Sequence, residues 1–90
     1  MAEATKSTAL EAAERMVALL QALPADDRRA KALYHLERLQ LAVKASHQEG
    51  VRFAAFTVNK TVHDAAEWAP QIGAAMAALR SELHALGHEF

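Results

Sequence analysis

Ninety residues with no cysteine, a formal net charge of -1 and an apolar fraction of 52% set narrow limits. They describe one small domain, spanning residues 1–90, with no disulfide and no thiolate metal site. They also lack the basic excess that nucleic-acid binders usually carry, so no direct nucleic-acid partner is expected. No apolar run approaches membrane-spanning length, and Met1–Lys6 lacks the apolar region of a signal peptide. The expectation is a cytoplasmic protein with no membrane partner. Alanine is abundant, while three glycines and two prolines are the only strong helix breakers, so helix is favoured throughout.

In chain order, Met1–Lys6 shows no periodicity, and residues 1–7 are expected to fray. Thr8-Ala9-Leu10-Glu11 fits a capping box. Leu10, Ala13, Val17 and Leu20 follow at helical spacing, with Met16 and Leu23 widening the face. Pro24 ends this helix at Leu23, because proline disfavours the helical conformation in the residue before it. Asp26 and Asp27 suit the positive end of a second helix, which is expected to run to about Gln48. Leu33, Leu36, Leu39 and Val43 form its main apolar face. Tyr34 and Leu41, with Ala30 and Ala45, lie on another sector. A helix with two apolar sectors has two surfaces to bury. Tyr34 and Leu41 either rest on the first helix or meet a partner. Gly50 follows a slip in the spacing and reads as a residue just beyond a helix end.

From Val51 the chain carries a stripe in steps of three and four: Val51, Ala55, Val58, Val62, Ala65, Ala69, Ile72, Met76, Leu79, Leu83, Leu86 and Phe90. Every position is apolar, in the heptad form that favours a helix laid alongside. Phe53, Phe56 and Thr57 have strand character, but the stripe runs far beyond strand length. Pro70 lies inside it. Proline either opens a separate helix at its first position or kinks one long helix. The unbroken register favours the kink, with Trp68 covering the distorted turn. At roughly 1.5 Å per residue the last helix would span ~57 Å, close to the ~60 Å of the first two end to end. The fold class is therefore all-α: an antiparallel helical hairpin or bundle with a long, Pro-kinked C-terminal helix, coiled-coil-like and dimeric.

Chemistry-bearing residues are sparse. His84 and His88 stand four apart, so on one helix both imidazoles could reach one metal ion. They lack the third protein ligand of a catalytic zinc site and the Glu-x-x-His pairs of a diiron bundle. Lys60–Asp64 and His63–Glu67 are spaced for pairing along a helix, worth roughly 0.2–0.5 kcal/mol each. Arg28-Arg29-Ala30-Lys31 is the densest basic run, but Asp26 and Asp27 precede it and no aromatic interleaves it. No catalytic constellation and no cofactor motif emerges. The sequence reads as a non-enzymatic helical interaction module, a homodimer that also binds another protein. Tyr34, Arg38, Leu41 and Lys44 are the partner-binding candidates. The alternative is a small helical enzyme, or a ligand- or metal-binding protein, with Arg52, Lys60 and His63 lining a polar pocket. A dry seam filled by Phe53, Phe56 and Trp68 would argue against that pocket.

Met76-Ala77-Ala78-Leu79, followed by Leu86-Gly87, resembles the end of the TraM family of quorum-sensing antiactivators. Leu23-Pro24 with acidic residues, a long helix, a short break and a second long helix is similar to that family's layout. The resemblance spans about a dozen residues and departs at His88-Glu89-Phe90, where the family's ending is apolar and proline-bearing. It implies a dimer of long antiparallel helices that binds a LuxR-type transcription factor and blocks it, a regulatory role.

Overall fold

Two threonines start the first helix. In the computed structural model, which describes residues 5–90 except the side chains of Ala66 and Trp68, Thr5 is the N-cap of α1 (Lys6–Gln21). Its hydroxyl accepts from the Thr8 N–H at 3.2 Å, and the Thr8 hydroxyl accepts from the Thr5 N–H at 2.8 Å. The capping box thus lies one turn earlier than Thr8–Glu11, with threonine closing it in place of glutamate. Thr5, Lys6 and Ser7 belong to this capped start; the fraying expected at residues 1–4 lies outside the described residues. The helix stops at an Ala22 C-cap, two residues before Pro24.

Asp26 caps α2 (Asp27–Lys44), its Oδ1 accepting from the Arg29 N–H at 2.7 Å. This helix ends short of Gln48. Ser46 adopts the left-handed conformation at φ 55°. Its N–H donates to the Val43 carbonyl at 3.1 Å and the His47 N–H to that of Ala42 at 3.0 Å, closing the helix end. His47 then caps α3 (Gln48–Thr61), its Nδ1 accepting from the Gly50 N–H at 2.8 Å. Gly50 is therefore inside α3 rather than beyond a helix end. A Cβ there would lie 2.7 Å from His47 Nδ1 and 3.2 Å from the Ala42 Cβ. The missing side chain lets α3 start hard against α2.

The long C-terminal helix is divided. α3 ends at Thr61, α4 (Ala65–Trp68) is a single turn, and Pro70 is the first residue of α5 (Pro70–Ala85). Proline at that position gives up an N–H that has no helical partner anyway, so it opens a helix instead of kinking one. The stripe nevertheless stays in phase. The connecting backbone closes on carbonyls three residues back, Ala65 to Val62 at 3.0 Å and Ile72 to Ala69 at 2.9 Å. Such tight turns advance the chain by about one helical turn each. Val62, Ala65, Ala69 and Ile72 all remain buried. The cover expected from Trp68 lies outside the described side chains.

The helices pair antiparallel. Thr8 Oγ1 donates to Glu82 Oε2 at 2.7 Å, joining the start of α1 to the end of α5. Arg28 meets Asp64 at 3.5 Å, joining the start of α2 to the chain just past α3. Arg52 Nε donates to the Glu89 carbonyl at 3.0 Å, and Arg80 Nη2 to Asn59 Oδ1 at 3.0 Å, so α3 and α5 also run in opposite senses. The result is an up-and-down helical bundle of 32 × 27 × 19 Å, too short for a ~57 Å rod. Seam positions Val51 through Leu83 point into one core shared with Met16 and Leu20 of α1 and Leu36 and Leu39 of α2. Leu86 and Phe90 pack at its edge. Among the described residues no polar or charged side chain is buried there. No described residue is in a strand, and no described helix is long and apolar enough to cross a membrane.

Candidate interaction groove

The inward face of α2 is complete with Ala32, Leu36, Leu39 and Val43, and that of α3 with Val51, Ala54, Ala55 and Val58. Side chains roughly half a turn away must face out. On α2 these include Tyr34 and Leu41; on α3 they include Phe53 and Phe56. Their exposures are 52%, 58%, 62% and 55%, respectively. α2 and α3 are the most extensively paired helices, and small residues permit this. Ala42, Ala45, Gly50 and Ala54 line the space between them, while Tyr34, Arg38, Leu41 and Phe53 stand along it. The outcome is an open groove of about 720 Å³. His35 sets its ring edge-on to Tyr34, with centroids 5.1 Å apart.

Among the described residues Arg38 is the only formally charged side chain on the groove lining, where His35 and His47 join it and no carboxylate does. On the other flank of α3 a second hollow, of about 390 Å³, is lined by Glu49, Arg52, Phe53, Phe56, Glu89 and Phe90. Phe53 is the ridge between the two.

No protein-family model, curated protein or solved structure matches this chain.

Of the four partner-binding candidates, Tyr34, Arg38 and Leu41 come together on the groove, whereas Lys44 does not line it. Lys44 is exposed in the last turn of α2, where its charge complements the helix dipole. Phe53, His35 and His47 are groove residues that the sequence reading did not select. For Phe53 and Phe56 the signal was present: both fall out of step with the stripe. They do not fill a dry seam.

The metal and polar-pocket candidates are arranged differently from their sequence spacing. α5 ends at Ala85, and Gly87 turns the chain at φ 95°. The His88 N–H donates back to the Leu83 carbonyl at 3.0 Å, so His84 and His88 do not follow each other on one helix. His84 packs edge-on against Phe90 at 5.1 Å. The Nδ1 of His88 is buried without a hydrogen-bond partner among the described residues. Burial, and then the Arg52 charge, hold the His88 pKa below its ordinary value of 6.5. Among the described residues no three His, Asp or Glu side chains gather as a metal site would need.

The pairs expected along one helix are also replaced, because α3 stops at Thr61. Asp64 meets Arg28, and His63 Nδ1 lies 2.7 Å from the Lys60 carbonyl. Arg52 is eight residues before Lys60, ~12 Å along α3, and is tied to the chain end. Arg52, Lys60 and His63 therefore do not converge on one pocket.

Proposed function

We propose that the protein is a non-enzymatic, cytoplasmic interaction module that forms a homodimer and regulates by binding another protein, a transcription factor of the LuxR type. The observation that carries this reading is the outward apolar surface of α2 and α3. Tyr34, Leu41, Phe53 and Phe56 are more than half exposed although the core beneath them is already complete. Large apolar side chains clustered on one surface, rather than scattered, are what docking surfaces present. The dimer is assigned to the Phe56 side of α3 and the regulator to the groove at Tyr34, Arg38 and Leu41. A domain this small buries a modest fraction of its chain surface, so a second copy adds stability. The regulator's identity rests on the resemblance at Met76–Leu79 and Leu86-Gly87. The enzyme reading has no comparable support, since Arg52, Lys60 and His63 are apart.

Sedimentation equilibrium tests the dimer. The expected result is a dimer at micromolar concentration and a monomer for Phe56→Ser; a monomeric wild type removes self-association. Co-purification with a LuxR-type regulator tests the second half. A complex that Leu41→Glu abolishes is expected, and no complex with the wild type removes that partner.

A further inference from the structure

We infer that the α2–α3 groove receives an amphipathic helix with acidic flanks, contributed by a partner protein. This rests on the interaction reading above and adds the chemistry of the occupant. A cleft between two antiparallel helices, with apolar anchors spaced along it, suits a third helix laid in by its apolar face. Tyr34, Leu41 and Phe53 supply those anchors, and Ala42, Ala45, Gly50 and Ala54 leave room for an incoming backbone.

Charge selects among the helices that could enter. The whole chain is nearly balanced, with 10 Lys and Arg against 11 Asp and Glu. The groove does not share that balance: among the described residues Arg38 is its one formally charged side chain, His35 and His47 stand beside it, and no carboxylate lines it. The neighbouring hollow has the opposite bias, with Glu49 and Glu89 around Arg52. A positive charge with no carboxylate beside it on the lining thus distinguishes the groove from the neighbouring hollow. Arg38 is exposed and has no ion pair or hydrogen bond among the described residues, so its guanidinium is available to an incoming carboxylate. A second copy placed groove to groove would bring a second Arg38 guanidinium, and so like-charge repulsion, into a space that no described carboxylate lines, because a two-fold interface repeats the same patch on both sides. A foreign acidic helix avoids that repulsion.

Two designed peptides of ~18 residues test this, each helical and carrying leucine at i, i+3, i+4 and i+7. One has glutamate and the other lysine along the flanks. Fluorescence anisotropy with the full-length protein should show the glutamate peptide binding at least about tenfold more tightly, with affinity falling as salt is raised. Arg38→Glu lies at an exposed position, so its circular dichroism should match wild type while the peptide preference inverts. Equal binding of the two peptides, preference for lysine, or binding of neither overturns the inference. Sedimentation and regulator co-purification report separately on the broader reading. A protein that is dimeric or regulator-bound yet ignores both peptides would lose only the acidic helix.

Discussion

At His88 burial and a neighbouring cation act in the same direction. Both penalise the imidazolium, so the folded pKa lies below the ordinary 6.5. Above 6.5 the ring is neutral in folded and unfolded chains alike, and its contribution to stability is fully present. As pH falls from 6.5 through the folded pKa, the unfolded chain takes up the proton first, and that contribution is lost. The expected outcome for His88→Gln is a shallower loss of stability on acidification. It should be read as the difference in urea midpoint between about pH 7.5 and about pH 5.5, a window that brackets ordinary histidine titration. An unchanged pH slope would mean that the ring is as solvated as in the unfolded chain. His88 also shows where residue spacing misleads. Four positions separate it from His84, but Gly87 turns the backbone between them, so the interval is not that of a helix.

Helix ends divide what the sequence disclosed from what it did not. The inward stripe was legible from Val51 to Leu83, because apolar periodicity records which side chains face the core. The helix boundaries were not, because turns closing on the third residue back preserve that periodicity across a break. Val62, Ala65 and Ala69 look the same to a pattern whether or not the helix continues. Pro70 was the local sign of the division, and its tolerance at a first helical position was the reading that applied. The start of α2 at Asp26 was visible, since a carboxylate cap is a property of residue type. The start of α1 at Thr5 was obscured by a competing Thr8–Glu11 pattern one turn on. The groove was half legible: Tyr34 and Leu41 were off the main face of α2, but that Phe53 would face them depended on where α3 began. That point was set by Ser46 and His47, which carry no strong boundary signal.

Ser46 is also the element end with most to gain. A non-glycine residue in the left-handed region costs ~1–2 kcal/mol, and Ser46 sits at φ 55° with an exposed side chain. Glycine removes that strain but adds freedom to the unfolded chain, an offset of ~0.4–1 kcal/mol. Ser46→Gly should therefore stabilise the fold by about 0.5–1 kcal/mol. A raised urea midpoint with an unchanged slope is the expected result. A lowered midpoint would indicate that the α2–α3 turn is not held in this conformation.

For the molecule as a whole, one apolar core lies under all the long helices, and the exposed apolar surface lies outside it. Two leucines on α2 separate these roles. Leu36 is fully buried and Leu41 is 58% exposed. Truncating Leu36 to alanine leaves a cavity shared by several helices and should cost ~2–5 kcal/mol. That is a large part of the ~5–13 kcal/mol available to a domain of this length, and it implies a melting temperature lower by roughly 10–30 °C. Because the core is common, far-UV circular dichroism and hydrogen exchange should lose α1 and α3 together rather than one before the other. Leu41→Ala removes the same atoms from the surface, so its stability should stay within about 0.5 kcal/mol of wild type. Its cost should fall instead on groove binding, as weaker anisotropy with the glutamate-flanked peptide. If Leu41→Ala destabilised the fold as much as Leu36→Ala, the outer surface of α2 would belong to the core, and the separation between folding and docking on this helix would not hold.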